Sequence, residues 1–363
     1  MADIGSRKSE HLDIVTHGDV QGRRPAGFEA VNFEHVAAPE LDLDAIDLST
    51  TFLARKLAAP FLISSMTGGP QRAAQINLSL AEAAGRLGIA LAVGSQRIAV
   101  EGGQACGFTR ELRARAPSVP ILANLGAAQI RQNRGLDFAR HAVDMIDADA
   151  LIIHLNPLQE AVQAGGDRDW TGVLSGIERL VGLLEVPVIV KEVGCGLSGS
   201  LAKRLFACGV TMLDVAGAGG TSWAAVEAQR SEHARDKAIA SAFRDWGIPT
   251  ATALQDVRAA CPQAVVIASG GLRTGIDAAK AIRLGADMAG YAAGILGPAL
   301  ENPEALIAHF EILIAQLRIA CFCTASPNFT ALRQARLIGE PASPVQGSTD
   351  QPQRAPCAVA PSR

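Results

Sequence analysis

Apolar runs recur along the chain from Ala58 onward, and each is followed by a Gly-rich or polar turn and then by residues with helical periodicity. The runs are continuous and do not alternate, which is typical of parallel strands buried on both faces. They predict eight strands, at residues 60–65, 89–94, 120–125, 150–155, 187–192, 211–216, 264–269 and 287–292.

The segments between these runs carry apolar residues at helical spacing. After Pro70, which suits the first turn of a helix, apolar positions from Ile76 to Leu87 recur every three or four residues, and Gly88 ends the pattern. Residues 274–287, TGIDAAKAIRLGAD, repeat this arrangement before the eighth strand, with Gly285 as the predicted C-cap.

Eight strand-and-helix units over about 250 residues predict an α/β fold, the (β/α)8 TIM barrel, whose reactive groups lie at the carboxyl ends of the strands. The alternative is a doubly wound open sheet, which usually has a GxGxxG sequence after its first strand. The first predicted strand leads into SMTGGPQ, which lacks that spacing. The barrel is therefore the better interpretation.

Three parts of the chain are distinguished by composition and length. Residues 1–57 form a polar N-terminal extension, with short strands predicted around Val31 and Leu48. Residues 58–339 form the barrel, in which the long connection at 217–263 contains an inserted helical segment over the barrel mouth. Residues 340–363 are rich in Pro, Ser and Gln, which predicts a disordered tail.

Composition narrows the class of protein. A chain of 363 residues, 48% hydrophobic and 19% charged, can bury a large core, and its net charge of -3 offers no global field for a nucleic acid. The N-terminus has no apolar signal region, and no run of about 18 apolar residues follows. We therefore expect a soluble, cytoplasmic protein with no membrane partner. Seven cysteines without a CxxC pair predict reduced thiols.

Polar and small residues follow the predicted strands, at the end where such a barrel holds its site. They include Ser65, Met66, Thr67, Ser95, Arg97, Asn124, His154, Asn156, Gln159, Glu160, Lys191, Thr221, Gly271, Arg273, Ala292 and Ala293.

Two of these loops indicate an anion site. ASGGLRTG, residues 268–275, places two glycines and Arg273 where a helix begins, and loops after strands seven and eight commonly bind phosphate in barrels. YAAGILG, residues 291–297, supplies small residues through which further amides approach the same anion. Glycine pairs also make tight turns, so the position after strand seven, not the pattern, favours phosphate.

Lys191 ends a strand whose other side chains are largely apolar. A buried ammonium needs an anion nearby. The anion that balances Lys191 can equally be a ligand or a carboxylate of the protein, such as Glu192 or Asp214. Together with the phosphate site, Asn124 and the turn at 219–222, Lys191 favours a flat cofactor with a phosphate tail. FMN fits best, because no Walker or nicotinamide sequence competes.

Eight segments taken together resemble the type 2 isopentenyl-diphosphate isomerases, which are flavin-dependent barrels. They are SRKSEH, ISSMTGG, VGSQR, NLG, HLNPLQE, VIVKEVGCG, AGAGGTSW and SGGLRTG, in order over residues 6–275. The resemblance implies reversible interconversion of isopentenyl diphosphate and dimethylallyl diphosphate in isoprenoid synthesis, with reduced FMN, Mg2+ and NADPH as the priming reductant. It also implies a homo-oligomer, either a tetramer or an octamer.

The resemblance assigns roles to individual residues. FMN would lie against Ser65, Met66, Thr67, Ser95, Asn124, Lys191, Thr221, Gly271, Arg273, Ala292 and Ala293. The substrate diphosphate would face Arg7, Lys8, Arg97, His154 and Asn156. Gln159 would contact the substrate, Glu160 would help to hold Mg2+, and catalysis would rest on Gln159, His154 and Lys191. The N-terminal extension would then cover the barrel mouth.

The residue types suit this chemistry. Protonating an unactivated alkene requires an acid matched to a very weak base, and reduced flavin can carry the proton at N5 while Lys191 stabilises the charge left on the ring. His154 and Asn156 can donate hydrogen bonds to a diphosphate, and Glu160 is a hard oxygen ligand for Mg2+. The amide of Gln159 can position the substrate without offering a nucleophile to a cation.

Simpler roles are available for single residues. His154 can be a satisfied strand-end histidine, Glu160 a first-turn helix acid, and Arg7 and Lys8 solvated surface charges.

Two rival functions stay open. The first is an FMN-dependent 2-hydroxy-acid oxidase or another FMN barrel oxidoreductase. The oxidase would need a histidine base and an arginine in the region of strands six and seven. VAGAGGTSW, residues 215–223, contains no histidine, and His233 lies well inside the insertion, which disfavours the oxidase. The second rival is a flavin- or phosphate-binding protein without catalysis.

Overall fold

A short antiparallel hairpin, β1 Thr50–Phe52 and β2 Arg55–Leu57, precedes a closed barrel of eight parallel strands. The computed structural model describes residues 4–66, 71–102, 107–131 and 134–340, with the side chains of these residues except 4–9 and 71–73. The barrel strands are β3 Phe61–Ile63, β4 Ala90–Ala92, β5 Ile121–Gly126, β6 Ala150–Leu155, β7 Val188–Glu192, β8 Met212–Asp214, β9 Val265–Ala268 and β10 Met288–Tyr291. Each overlaps one predicted strand, so the predicted TIM barrel is confirmed.

The strands follow one another around the barrel in chain order, and β10 closes the ring by pairing with β3. All residues of β3, β4, β5 and β7 are buried. One face of each strand packs in the barrel interior and the other packs under helices, which is why continuous apolar runs marked these strands in the sequence.

Helices surround the barrel and connect its strands. They are α1 Ile4–His17, α2 Gln71–Leu87, α3 Arg97–Val100, α4 Glu111–Arg115, α5 Ala127–Ile130, α6 Gly135–Ile146, α7 Pro157–Val162, α8 Val173–Leu183, α9 Gly199–Ala207, α10 Trp223–Arg230, α11 Ala234–Ala242, α12 Thr250–Ala260, α13 Gly275–Arg283, α14 Ala293–Glu301, α15 Pro303–Cys323 and α16 Phe329–Leu332. The periodicity that predicted α2 and α13 is confirmed. The C-cap of α13 is Leu284, and Gly285 follows it with a φ of 111°, a conformation that favours glycine.

The first part of the N-terminal extension, from α1 to Gly22, packs on the carboxyl end of the barrel, whereas Arg55 in the hairpin pairs with Asp149, which directly precedes β6. Gly22 N–H donates to the Gly220 carbonyl (2.9 Å), Ser222 N–H donates to the Val20 carbonyl (2.8 Å), and α1 contacts α10 and α14. These contacts bring α1 and residues 20–22 next to the loop after β8.

The secondary structure of the extension agrees with the sequence in part. The strand predicted near Leu48 corresponds to β1. The strand predicted around Val31 is wrong, because a 3-10 helix, Phe28–Ala30, ends there. Gly27, with a φ of 92°, starts that turn and breaks the extended conformation. Of the predicted tail, residues after Glu340 lie outside the described part of the chain.

The long connection after β8 is helical, as predicted. It contains α10, α11 and α12, and α10 contacts α1, α7 and α11. The insertion and the N-terminal helix therefore cover the same side of the barrel mouth.

Helix α15 completes the outer layer. It has 21 residues, and an 18-residue window within it has a mean hydropathy of 1.7, which makes it the one helix among those described that is long and apolar enough to cross a membrane, by length and composition alone. One side of it packs on the barrel: the Phe310 ring lies 6.1 Å from that of Phe61 and 6.0 Å from that of Tyr291. Its composition therefore reflects packing against α2, α13 and α14.

Candidate active site

A cavity of about 660 Å³ opens at the carboxyl ends of the barrel strands. Residues at or just after all eight strand ends line it, and α1 adds His11, Leu12 and Val15. Pockets of about 300–1,000 Å³ typically bind cofactors and small molecules. The cavity is therefore the candidate active site.

The predicted site residues whose side chains are described all line this cavity. They are Ser65, Met66, Ser95, Arg97, Asn124, His154, Asn156, Gln159, Glu160, Lys191, Thr221, Gly271, Arg273, Ala292 and Ala293. Arg7 and Lys8 are on α1, but their side chains fall outside the described part of the structure. Thr67 lies outside the described residues altogether.

The start of α13 is not open to a phosphate, contrary to expectation. The Asp277 carboxylate accepts hydrogen bonds from the backbone N–H groups of Arg273 (3.0 Å) and Thr274 (2.9 Å), and the Thr274 hydroxyl accepts from Asp277 N–H. Gly275 N–H donates to the Gln316 side chain (2.7 Å). The capping box and Gln316 therefore occupy the N–H groups of residues 273–275, whereas Gly270 and Gly271, the glycines of the expected site, line the cavity.

Helix α14 presents the open helix end instead. Ala292, Ala293 and Gly294 line the cavity at its start, and the N-cap residue Ala292 makes no side-chain cap. Uncapped first-turn N–H groups and the positive end of the helix dipole favour an anion. Gly271 and Arg273 line the same cavity from the loop after β9.

Buried hydroxyls in the wall fit a ligand with polar edges. Ser64 Oγ, Ser65 Oγ and Thr221 Oγ1 have no hydrogen-bond partner among the described residues. Buried polar atoms are normally hydrogen-bonded, so these three atoms suit a bound group. A Cβ at Gly290 would lie 2.5 Å from Ser64 Oγ, so glycine keeps this part of the wall open.

The sequence left open whether Lys191 faces a ligand or pairs with a carboxylate. In the structure it lines the cavity and also lies beside a carboxylate. It is 7% exposed, its Nζ donates to the Glu192 carbonyl (2.8 Å), and Nζ lies 3.5 Å from Asp214 Oδ2. Because Lys191 also lines the cavity, its ammonium can act on a ligand.

Glu192 shapes the loop after β7 and does not pair with Lys191 through its carboxylate. Its Oε2 accepts hydrogen bonds from the four backbone N–H groups of residues 193–196, at 2.5 to 3.2 Å. Burial raises the pKa of Glu192, and these N–H groups oppose the rise. The carboxylate therefore fixes a loop that borders the cavity.

His154 is oriented by the neighbouring strand. Its Nδ1 lies 2.8 Å from Asn124 Oδ1, and Asn124 Nδ2 donates to the Val93 carbonyl (3.1 Å). Because the Asn124 oxygen faces the ring as an acceptor, the bond requires a hydrogen on His154 Nδ1. The resemblance assigned Asn124 to FMN and His154 to the substrate diphosphate, and a hydrogen bond joins these two residues.

The side chains after β6 form a polar network. Asn156 Nδ2 donates to Gln159 Oε1 and to Glu160 Oε1, both at 3.0 Å. Glu160 Oε2 accepts from Gln163 Nε2 (3.0 Å) and from Asp167 N–H (2.7 Å). These donors are all neutral, so no cationic side chain occupies the carboxylate in these bonds, and its oxygens suit a cation.

A Mg2+ ion here would depend on Glu160. Among the residues that the structure describes, no group of three or more His, Cys, Asp or Glu side chains is placed to hold a metal ion. Mg2+ often binds through one or two carboxylates together with substrate phosphates and water. The donor set therefore fits a Mg2+ ion that is completed by a diphosphate.

Arg97 lines the cavity but is paired with carboxylates. Its Nη1 lies 2.8 Å from Asp167 Oδ2 and its Nε lies 3.1 Å from Glu101 Oε1. Burial lowers the pKa of Arg97, but the two carboxylates more than offset this and the pKa is raised. A diphosphate would share this guanidinium with Asp167, whose N–H also holds Glu160.

Glu227 belongs to the site and was missed by the sequence analysis. Its Oε1 lies 2.9 Å from His11 Nε2 and accepts from Gln159 Nε2 (3.2 Å), and its Oε2 accepts from Arg230 Nη1 (2.7 Å). No spacing in the sequence relates the extension to the insertion. The one usable signal was the position of His11 in the segment SRKSEH.

Comparisons with known proteins give one matching family model and several similar named enzymes. The model of the FMN-dependent dehydrogenase family matches residues 143–337. The isopentenyl-diphosphate delta-isomerase of Xanthobacter autotrophicus is 61% identical over 334 residues, covering 92% of this chain and 97% of the relative. Proteins of the same name from Stutzerimonas stutzeri (60% identical; 92% and 96% covered) and Vibrio parahaemolyticus (52% identical; 93% and 100% covered) are also similar.

Solved structures with a similar fold include several forms of mandelate oxidase. A mandelate oxidase mutant with the C4a-OH-FMN adduct has a TM-score of 0.65 and 17% identity, with 90% of this chain and 94% of that chain covered. Mandelate oxidase with benzoyl-formic acid has a TM-score of 0.62 and 16% identity, with 90% and 93% covered. At this identity the likeness concerns the fold alone.

Proposed function

The chain belongs to the isopentenyl-diphosphate delta-isomerase family, and on that premise we propose that it interconverts isopentenyl diphosphate and dimethylallyl diphosphate. The enzyme is of type 2, with reduced FMN as its acid/base cofactor, and serves isoprenoid synthesis. NADPH reduces the flavin, and Mg2+ accompanies the diphosphate.

One observation carries the proposal: a single cavity has two polar ends on opposite sides of the barrel. The uncapped start of α14 follows β10, and the network of Asn156, Gln159 and Glu160 follows β6, four strands away around the ring of eight. Two phosphate-bearing molecules, a flavin and a diphosphate substrate, fit such a cavity. Lys191, on β7, lies between these ends in the strand order.

FMN is held by residues already assigned to it from the sequence. The start of α14, Gly271 and Arg273 would hold its phosphate, and the unpartnered hydroxyls of Ser65 and Thr221 would bind polar atoms of its ring. When bound and reduced, FMN supplies a group that can donate a proton to the alkene and accept one in return.

The side chains of the chain bind and orient the substrate. His154 and Asn156 donate hydrogen bonds to the diphosphate, and Arg97 adds positive charge. Glu160 holds Mg2+ against the phosphate oxygens. Gln159, fixed by Glu227 and Asn156, positions the five-carbon group and offers no strong nucleophile to a developing cation.

Lys191 acts on the charge of the ring. Its ammonium stabilises negative charge on the reduced flavin, which keeps the ring electron-rich in a site with little water. The substrate is a small-molecule diphosphate, and the protein needs no nucleic acid or membrane partner. It works in the cytoplasm as a homo-oligomer, a tetramer or an octamer.

An anaerobic assay tests the proposal. Purified protein is incubated with isopentenyl diphosphate, FMN, NADPH and Mg2+, each is omitted in turn, and dimethylallyl diphosphate is measured. We expect product with the full mixture and little without FMN, reductant or Mg2+. Equal turnover by flavin-free protein contradicts the role of FMN, and FMN binding without isomerisation favours a non-catalytic flavoprotein.

An FMN-dependent 2-hydroxy-acid oxidase is the second candidate, because the fold is that of mandelate oxidase. The described histidines that line the cavity are His11 and His154, on α1 and β6, and His233 is not among the lining residues. Neither comes from the loops after β8 or β9. Hydrogen peroxide formed in air on adding lactate or glycolate would support this alternative.

A further inference from the structure

Asp214 lies behind Lys191 in the wall of the cavity. The two residues are register partners on β7 and β8, so their side chains project to the same side of the sheet. Lys191 lines the cavity, whereas Asp214 is 0% exposed and does not line it. Asp214 therefore acts on a ligand through Lys191.

The Asp214 carboxylate is fixed by three neighbours. Ser269 Oγ donates to its Oδ1 at 2.6 Å, and Ala216 N–H donates to the same oxygen at 3.3 Å. Its Oδ2 has no hydrogen-bond partner within the described residues and faces Lys191 Nζ at 3.5 Å. A fully buried carboxylate needs an opposite charge nearby, so the Lys191 ammonium balances it.

The ammonium is restrained in turn. Nζ donates to the Glu192 carbonyl at 2.8 Å, on one side, and meets Asp214 on another. An ammonium has three N–H groups, and the bond to the Glu192 carbonyl uses one of them, so N–H groups remain for a ligand. The position of the ammonium is set by these two contacts before any ligand enters.

We propose that Asp214 is a positioning residue that sets the net charge facing a bound flavin, and thereby its reduction potential; this rests on the proposed function. With Asp214 ionised, the pair with Lys191 is neutral overall and presents a dipole, with its positive end toward the cavity. Without that carboxylate, the same site presents a full positive charge.

The difference matters for the reduced ring. Reduction of FMN by two electrons and one proton leaves one negative charge, which a full positive charge stabilises more than a neutral pair does. A bare ammonium would therefore make FMN easier to reduce and the reduced ring less basic. Asp214 keeps the ring basic enough to accept a proton back from the substrate.

The test is the midpoint potential of bound FMN in an anaerobic dye-equilibration titration. For Asp214→Asn we expect the ratio of affinities for reduced over oxidised FMN to rise about tenfold, which is about 30 mV for a two-electron couple. Asp214→Ser makes the same charge change with a smaller side chain, and either variant that folds decides the matter. Asp256→Asn, at an exposed position on α12, is the matched control and leaves the potential unchanged.

A double-mutant cycle shows whether the effect passes through Lys191. In a Lys191→Met background there is no ammonium for Asp214 to act through, so Asp214→Asn shifts the potential little. An equal shift in both backgrounds overturns the positioning role. A merely structural Asp214 would weaken reduced and oxidised FMN equally and leave the potential where it was, which also overturns it.

Failure of this inference is distinguishable from failure of the proposed function. Wild-type protein that binds FMN and isomerises the substrate, with an unshifted or lowered potential in both Asp214 variants, overturns the inference alone. Wild-type protein that does not bind FMN overturns both.

Discussion

Gln159 and Glu227 are 68 residues apart in the chain, and Gln159 Nε2 donates a 3.2 Å hydrogen bond to Glu227 Oε1. Glu227 also binds His11 and Arg230, so one buried carboxylate joins the loop after β6, the insertion and the N-terminal helix. The apolar packing beside it is a small cluster around Val20, Ala225 and Val226, separate from the main core. The packing of α1 and of the insertion over the cavity therefore depends in part on this polar junction.

Replacing Glu227 tests that dependence. In Glu227→Gln the contacts of His11 and Arg230 with this carboxylate are weakened, although Arg230 keeps its ion pair with Glu10. We therefore expect amide exchange in α1 to quicken about tenfold, which corresponds to about 1.4 kcal/mol of local stability. Exchange in the barrel strands should not change. Asp236→Asn, at a partly exposed site on α11, is the control. Unaltered exchange in α1 would contradict the role of Glu227 as the junction.

The same junction predicts a pH dependence. Burial raises the pKa of Glu227, but the bonds and charges of His11 and Arg230, with the bond from Gln159, outweigh it, and the pKa lies below the ordinary 4.5. The folded state thus binds this proton less readily than the unfolded state, so the stabilisation is complete above pH 4.5 and is lost as the pH falls through the folded pKa.

Thermal unfolding measures this loss. The difference in Tm between wild type and Glu227→Gln should be constant from about pH 7 to about pH 5 and should shrink below pH 4.5. A difference that is as large at about pH 3.5 as at neutrality would be inconsistent with a lowered Glu227 pKa.

Glu160→Gln separates the metal from the flavin. The amide loses the charge for Mg2+ and sets an N–H against the donors Gln163 and Asp167. We expect the Mg2+ concentration for half-maximal activity to rise about tenfold or more, since a lost charged contact costs about 1.5–3 kcal/mol. FMN affinity, measured by quenching of flavin fluorescence, should stay within about twofold. Glu178→Gln, on the exposed face of α8, is the matched control. Equal losses of Mg2+ and FMN would argue against the metal role.

Gly294→Asp tests the phosphate site at the start of α14. An added Cβ at Gly294 meets no atom within 4 Å, so the fold should tolerate the substitution, but the carboxylate opposes an anion at the helix end. We expect FMN to bind at least about tenfold more weakly, a loss of about 1.4 kcal/mol. Gly297→Asp is the matched control. It lies about one turn later, where an added Cβ also meets no atom within 4 Å, and Gly297 does not line the cavity. Equal affinity in the two variants would place the phosphate elsewhere.

Reconstitution with 5-deaza-FMN tests where the proton is carried. The analogue has the same phosphate and ring outline, so it should bind as FMN does, but a carbon at position 5 does not exchange protons readily. We expect a bound and inactive enzyme, by flavin absorbance and product assay under reducing conditions. Appreciable turnover with the analogue would exclude N5 as the proton carrier.

The barrel and most of the site were readable from the sequence, because both depend on local order. Strands buried on both faces leave continuous apolar runs, and the residue after each run must lie at the carboxyl end of the barrel. That rule alone brought Ser65, His154 and Lys191 together. Local sequence also showed a helix starting near Gly275.

What the sequence could not supply was the pairing between segments. Whether the amides at the start of α13 face a ligand depends on Asp277, which closes them, and this left α14 as the open helix end. From the sequence, either Glu192 or Asp214 could be the carboxylate partner of Lys191. Strand register places Asp214 beside its ammonium, whereas the Glu192 carboxylate binds N–H groups of the following loop.

The sequence by itself determined the fold class, the strand ends and the residue types of the cavity wall, because periodicity and position along a strand are local properties of the chain. Tertiary structure alone decided that His11 and Gln159 share Glu227 and that Asp167 links Arg97 to Glu160. These contacts join loops that no spacing relates, and their geometry is set by how the extension and the insertion pack over the finished barrel.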